Sequence, residues 1–503
     1  MIKKIFLCSF FFAHVFLLKA QQNQDSSFVR LNTEIEQLKN DSTISHGSWS
    51  VCVMDVKTGK ILADYNDDKS LIPASTMKIM TTGAALSELG TNFRFKTKIE
   101  YDGFIKAGVL NGNIYIKGGG DPSLGSEYFK KKNDTTDLMD YFAEIIHKKG
   151  IKKITGTIIA DASIFDFNTT SDEWVWGDMG NYYGSGACGL SYKDNIYTIY
   201  FDSGNIQNDS TRIDTVEPFV PNLKFINYLR TRGYRDNSMI YSSPYSDVAY
   251  VSGTIPAHKH KFPVKGSIPD APYFCSYSLY ESLLKKNISV AEAPINSFDL
   301  FQKEQNENAS EKGKDKKNER HLLYVYQSPT LDNIVYFTNM FSINLFAEHL
   351  LKTLGVEKYH YGSERSGINA VENFWKSQGM DLNGLYMADG CGLAREDVIT
   401  TYQETFALRT IANDSLIFSA FYRSLPVAGK TGSLHNMLKH TFAEGNMHAK
   451  SGYVSRDRSY AGYVNDKNGN LICFSIIANN YECSASEMKK KMERIMLRIA
   501  ELE

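Results

Sequence analysis

Residues Pro73-Ala-Ser-Thr-Met-Lys-Ile-Met-Thr-Thr-Gly-Ala-Ala-Leu-Ser-Glu-Leu89 decide how this chain is read. From Met77 onward the apolar positions fit a buried helix ended by Gly90, a residue free to take the left-handed conformation of a helix stop. Ser75 and Lys78 stand three residues apart, on one helix face, with Ser75 in the first turn. Free backbone N–H groups and the positive end of the helix dipole favour a developing negative charge there. A lysine kept neutral by burial and cationic neighbours can take the hydroxyl proton, making Ser75 an acylable nucleophile. The same pair also suits a plain N-terminal helix serine beside a solvated lysine, so the motif needs company.

The flanks give its setting. Trp49 to Val56 alternates, Lys57-Thr-Gly59 supplies a turn, and Lys60 to Tyr65 resumes extended character, which predicts a hairpin. At the far end Ala449–Val454 and Ser459–Val464 are strand-like, and Asn468-Gly469 turns the chain into Leu471–Ala478. Met488, Met492, Ile495, Met496, Ile499 and Leu502 share one face of a last helix, and Ser484 with Glu487 makes its capping box. Two ends of this kind predict one sheet built from both, with the middle of the chain inserted.

From Phe93 to Lys265 short strands alternate with Gly/Asn/Asp turns around one helical stretch near Leu138–Lys148. The expected layout is a domain from 21–92 and 270–503, with a β-rich insertion at 93–269. Lys303 to Arg320 holds six basic and five acidic residues and, apart from Ala309, no apolar side chain, so a disordered surface loop is expected. Helical stretches are expected from about Asn333 to Leu354 and from Glu364 to Gly379.

Composition sets limits. A chain of 503 residues suggests about three domains, and 42% hydrophobic against 22% charged residues excludes wholesale disorder. Lys+Arg number 56 against 57 Asp+Glu, so no basic field attracts nucleic acid. Lys3 and Lys4, the apolar run Ile5–Leu18 and the ending Leu18-Lys-Ala20 predict a secretory signal at 1–20. The run falls short of the roughly 20 residues of a bilayer span. An exported, periplasmic protein, soluble or peripherally membrane-associated, is expected. Cys52, Cys188, Cys275, Cys391, Cys473 and Cys483 form no CxxC pair and read as mostly buried thiols. His258-Lys-His260 has ligand-like spacing without a carboxylate or cysteine cluster nearby, so it reads as a solvated loop. No metal or cofactor is expected.

Two further motifs support Ser75. Ser342-Ile-Asn344 opens an apolar helical run, offering a hydroxyl to relay a proton and an amide to hold a substrate carbonyl; capping of that helix by Ser342 is the plainer alternative. A Lys-[Ser/Thr]-Gly on a strand would bind a substrate carboxylate, its glycine letting the ligand approach the edge. Lys57-Thr-Gly59 belongs to the hairpin turn. Lys430-Thr-Gly432 follows Leu-Pro-Val-Ala-Gly with no period-two run and reads as a loop. Lys450-Ser-Gly452 begins the terminal meander and is the choice.

In this order, Ser75-x-x-Lys78, Ser342-x-Asn344 and Lys450-Ser-Gly452 resemble the penicillin-binding proteins and serine β-lactamases. Gly119-Gly-Asp-Pro-Ser-Leu124, Trp174-Val-Trp-Gly-Asp-Met179, Met387-Ala-Asp-Gly-Cys-Gly-Leu-Ala-Arg395 and Leu425-Pro-Val-Ala-Gly429 narrow the resemblance to the D-alanyl-D-alanine carboxypeptidase/endopeptidase family, the class C low-molecular-mass penicillin-binding proteins. The resemblance spans about Trp49 to Ala478 and implies an α/β fold: a penicillin-binding-protein/β-lactamase-like transpeptidase domain, an antiparallel sheet flanked by helices, with the insertion forming one or two small domains. Family spacing, with the last motif about twenty residues beyond Leu-Pro-x-Ala-Gly, also favours Lys450. This sequence departs from the family in having Ser451 for the commoner Thr, Cys391 and Ala394 for serines, and an unusually charged 303–320 loop. Cys391 is thus a potentially oxidisable thiol near the site.

The resemblance implies a serine D-Ala-D-Ala carboxypeptidase/endopeptidase acting on peptidoglycan stem peptides and cross-links through an acyl-enzyme, with β-lactam antibiotics as covalent inhibitors. Ser75 attacks, Lys78 is the base, and Ser342 with Lys450 carries the proton to the leaving amine. Asn344, Ser451 and Gly452 hold the substrate. By family analogy the backbone N–H groups of Ser75 and Tyr453 form the oxyanion hole, and Asp178 lies near the peptide arm. A β-lactamase- or esterase-like hydrolase on the same scaffold and a non-catalytic cell-wall-binding protein stand as alternatives.

Overall fold

The computed structural model describes residues 26–130, 136–308 and 319–503; the secretory signal expected at 1–20 and residues 309–318 of the charged loop lie outside them. The chain divides into two compact units. One comprises the described residues from Ser26 to Ser87 with Tyr336–Ser342 and Glu372–Glu503, and the other the described residues of Glu88–Val335 with Ile343–Val371.

The first unit is organised by a five-stranded antiparallel sheet. Its order is Ile61–Tyr65, Ser48–Asp55, Leu471–Asn479, Asp457–Asn465, His448–Val454. Strand Ser48–Asp55 pairs along its whole length with Leu471–Asn479, Ser48 opposite Asn479 and Asp55 opposite Ile472, so the two chain ends share the sheet as expected. Side chains alternate between its faces. Trp49, Val51, Val53, Phe474, Ile476 and Ala449 enter one core with Met488, Met492, Ile495, Met496 and Ile499 of the terminal helix Ala485–Ala500, each such side chain contributing about 1.5–3 kcal/mol on burial. Ser484 and Glu487 close the capping box at its start. A helix over 26–39, unsignalled in the sequence reading, adds Leu31, Ile35 and Leu38 to this core.

The opposite face carries Ser50, Cys473 and Ser475 and meets helix Thr401–Asn413: Ser50 Oγ is 2.5 Å from Thr401 Oγ1, and Ser475 Oγ donates to Glu404 at 2.5 Å. Period two puts Lys450 and Gly452 of the edge strand on this face, opposite to Ala449. With both faces covered, the central strands read as unbroken buried runs instead of alternating ones.

The second unit contains a five-stranded sheet in the order Ile295–Asn296, Ile158–Asp161, Ile114–Lys117, Lys96–Asp102, Arg320–Gln327, and smaller sheets such as Arg212–Glu217, Ile196–Asp202, Phe262–Ser267. Helices Leu138–Lys148 and Ala271–Lys285 contribute Met139, Phe142, Phe274, Cys275 and Leu279 to its core. This corrects the expected boundary at 270. Strand Ile295–Asn296 pairs with Ile158–Asp161, and Arg320–Gln327 with Lys96–Asp102, so residues 270–335 complete the sheet of the inserted unit instead of rejoining the terminal one. The expected loop at 303–320 is also shortened at both ends. Helix Ser297–Asn308 takes its first residues, and Arg320 starts a strand, 2.6 Å from Asp161 and with its guanidinium 3.8 Å from the Tyr115 ring centre.

All six cysteines in the described residues are free, five buried and Cys483 half-buried. His260 is exposed and meets Asp202 at 2.6 Å, so this His-Lys-His segment is the surface loop expected. No helix among the described residues is long and apolar enough to cross a membrane.

Candidate active site

Ser75 lies in a 3-10 turn, Ala74–Met77, that runs directly into helix Lys78–Leu89, so it precedes the α-helix instead of occupying its first turn. From Pro73 to Leu86 every residue is buried except Ser75, which is half-exposed. The turn is entered through Ala74 at φ +49°, a left-handed conformation that costs a residue with a Cβ. Gly392 packs on it so closely that a Cβ there would overlap the Ala74 carbonyl.

Lys78 is fully buried; its Nζ donates to Ser75 Oγ at 3.0 Å and to the Cys391 carbonyl at 2.7 Å. The Cys391 backbone, not its thiol, therefore meets Lys78. The loop is shaped by Asp389, whose carboxylate accepts from the N–H groups of Cys391, Gly392, Leu393 and Ala394 at 2.8, 2.6, 3.0 and 2.8 Å. Thr81 ties it to the helix by donating to the Gly390 carbonyl at 2.7 Å. The expectation of an oxidisable Cys391 is corrected: its side chain is buried, with Sγ 3.5 Å from Asp389 Oδ2. Asp397 packs on Asp389, and burial first, then the Asp389 charge, pushes its carboxyl well up.

Ser342 is not the cap of the following helix. It stands between helices Leu331–Phe341 and Asn344–Tyr359 at φ +58°, and the second helix starts from Ile343 with no side-chain cap. Asn339, one turn earlier, fixes the segment: its Nδ2 donates to Thr82 Oγ1 at 3.2 Å and Ser424 Oγ at 2.9 Å. Lys450 Nζ donates to Ser342 Oγ at 2.9 Å and to the Ser451 carbonyl at 2.8 Å. Both partners are neutral, so burial, reinforced by the Lys78 charge, holds the Lys450 ammonium well below the usual lysine range.

The edge strand supplies more than a cation. Ala449 N–H turns away from the sheet to the Pro426 carbonyl at 2.9 Å; alternation along an antiparallel strand then aims the N–H groups of Ser451 and Tyr453 to the same open side. Gly452 faces Ser75, where a Cβ would lie 2.9 Å from the Ser75 nitrogen. Ser451 Oγ donates to Ser433 Oγ at 2.7 Å, and Tyr453 is exposed with the Arg458 guanidinium 4.9 Å from its ring centre. Lys430, in the competing motif, sits in a turn, is exposed and pairs with Glu444 at 2.7 Å.

Ser75, Lys78, Ser342 and Lys450 are thus brought together within the first unit, with Ser451, Gly452 and Tyr453 on its edge strand. Asn344 and Asp178 belong to the second, where Tyr183 joins them: Asn344 Nδ2 donates to the Tyr183 carbonyl at 2.9 Å, and the Tyr183 phenol to Asp178 Oδ1 at 3.1 Å. Burial, then the Asp178 charge, raises the Tyr183 phenol. Tyr183, Asp389 and Asn339 escaped the sequence reading. Asp389 stands in the quoted Met387–Arg395 motif and had a signal in its Asp-Gly pair; the other two had none.

A family model, D-Ala-D-Ala carboxypeptidase 3 (S13) family, matches residues 31–502. A D-alanyl-D-alanine carboxypeptidase of Actinomadura sp. (strain R39) is 26% identical over 490 residues, covering 94% of this chain and 84% of that protein. Crystal structures of penicillin binding protein 4 from Haemophilus influenzae share the fold: one has a TM-score of 0.75 at 21% identity, covering 90% of this chain and 95% of that one. A second, complexed with a β-lactam, has a TM-score of 0.70 at 20% identity with the same coverage.

Proposed function

This chain belongs to the D-Ala-D-Ala carboxypeptidase 3 (S13) family, and from that membership we propose that it is a serine D-Ala-D-Ala carboxypeptidase and endopeptidase. Its substrates are peptidoglycan stem peptides and cross-links, and β-lactams acylate the same serine. The observation that carries this reading is the 3.0 Å hydrogen bond from Lys78 Nζ to Ser75 Oγ at the one half-exposed residue of a buried turn.

Ser75 attacks the carbonyl of the penultimate D-Ala while Lys78 takes its proton. The oxyanion forms between the N–H groups of Ser75 and Tyr453, donors worth roughly 3 kcal/mol each in related chemistry. Lys450, through Ser342, delivers a proton to the leaving amine, and the 2.9 Å hydrogen bond from Lys450 Nζ to Ser342 Oγ supports that route. The expelled fragment is D-Ala or the cross-linked stem, and water then hydrolyses the acyl-enzyme. Asn344, Ser451 and Gly452 hold the substrate backbone, and Asp178 takes the peptide arm. The basic and apolar start of the chain supports export, so the enzyme works on the outer side of the cytoplasmic membrane, in the periplasm.

Incubation with labelled penicillin followed by peptide mass spectrometry tests the assignment. The label is expected on Ser75 and absent in Ser75→Ala, and a normally labelled variant sinks it.

A further inference from the structure

The inserted unit holds a cavity of about 1120 Å³ whose described lining is its own, among it Ser163 and residues 165–167, 220–223, 245–247 and 294–299. Phe167, Phe301 and Tyr361 line it while 62%, 59% and 59% exposed. Tyr245 is braced there by donating its hydroxyl to the Phe167 carbonyl at 2.8 Å and by an edge contact with Phe298 at 6.1 Å. Isolated exposed rings are ordinary, but several converging on one concave site are the mark of a ligand pocket.

The charge of the lining is one-sided. Asp166, Asp247, Asp270 and Asp299 contribute to it, and among the described residues neither lysine nor arginine does. Asp166 is neutralised by Lys352 at 3.0 Å, both nearly buried. Asp270 is engaged by the Tyr273 N–H at 2.9 Å and by Asn296 Nδ2 at 2.9 Å. Asp247 and Asp299 are exposed and have no ion-pair partner among the described residues. Burial together with the Asp299 and Asp247 charges pushes the Asp270 carboxyl up to about 6, a sign that negative charge here is uncompensated.

We propose that this cavity binds a primary ammonium group carried on an apolar arm, the chemistry of a lysine or other diamino-acid side chain. The rings receive the methylene arm and face the cation, and Asp247 and Asp299 accept its hydrogen bonds. An anion would meet repulsion. A neutral sugar would use the rings and leave the carboxylates uncompensated. The site goes beyond the acyl-transfer reading and does not depend on it.

Saturation-transfer NMR on the intact protein tests this with Nα-acetyl-lysine methylamide, its Nε-acetylated counterpart and a tetramer of N-acetylglucosamine. The free amine alone is expected to bind. The double variant Asp247→Asn/Asp299→Asn and, separately, Phe167→Ala are expected to weaken it by about ten-fold with unchanged melting temperature, since all three side chains are exposed. Equal binding of the acetylated probe, affinity unchanged in both variants, binding of the sugar alone, or no binding of the amine would each overturn the proposal.

Discussion

Gly452 and Ser75 are in backbone contact: a Cβ on Gly452 would lie 2.9 Å from the Ser75 nitrogen and run into the Pro73 carbonyl oxygen. The close approach fixes the gap between the edge strand and the nucleophile turn. Gly452→Ala is therefore expected to push the strand outward, and misplacement by about 1 Å costs on the order of a hundred-fold in rate. Stopped-flow acylation by a fluorescent penicillin measures it; a rate within two-fold of wild type would mean that the strand yields without consequence.

The two late lysines separate sharply. Lys450 is buried on a strand against Ser342, whereas Lys430 is exposed in a turn and paired with Glu444. Lys450→Ala is expected to lower acylation by two or more orders of magnitude, in the range of a lost general acid, and Lys430→Ala to leave it nearly unchanged. The opposite ranking would transfer the third motif to Lys430.

Glu404 gives a signed pH dependence. Burial pushes its carboxyl from 4.5 up to about 7, while hydrogen bonds from Ser475 and Thr76 act in the other direction. Between those values the folded protein keeps a proton that the unfolded chain releases. The resulting stabilisation is complete below pH 4.5 and is lost as pH rises through about 7, roughly 3 kcal/mol in all. Glu404→Gln is expected to flatten the fall in melting temperature between pH 5 and 8. Asp121, Asp194 and Asp270, also raised to about 6, remain in both proteins, so the difference isolates Glu404. Parallel curves would assign the slope to those other groups.

Tyr183→Phe removes the hydroxyl that donates to Asp178 and leaves the carbonyl that receives Asn344. With that hydrogen bond to Asp178 gone, kcat/KM on cross-linked muropeptides is expected to drop about ten-fold, within the range for a hydrogen bond to a charged group, while penicillin, which has no stem peptide, acylates as before. Equal losses on both would place Tyr183 in general support of the fold.

What the sequence made legible was local. The spacing of Ser75 and Lys78, the period-two run that set Lys450 apart from Lys430, and the capping box at Ser484 all act within a few residues, and the structure retains each. A helix start near Ser342 was legible, but the left-handed turn there that parts it from the preceding helix was not, because Asn339-Met-Phe-Ser-Ile-Asn344 has no glycine or proline to announce one. The domain limit at 270 failed for a different reason. Strand Arg320–Gln327 pairs with residues over 200 positions earlier, and such pairing leaves no short-range trace. The service of Cys391 by its carbonyl was equally invisible, since every residue type has one.

Strands Ser48–Asp55 and Leu471–Asn479 lie side by side though almost the whole chain separates them, and this sets an order of assembly. During synthesis, the first hairpin emerges with no partner for its inner edge and waits until the last strands arrive. The inserted unit, drawn from Glu88 to Val371, is complete well before that. The turn that carries Ser75 is therefore made early and gains Lys450 and the edge strand last, because those belong to the final segment of the chain. A polypeptide ending anywhere from Ile79 to Ala449 would carry Ser75 and Lys78 without Lys450, so by the proposed mechanism such incomplete products are silenced by topology alone.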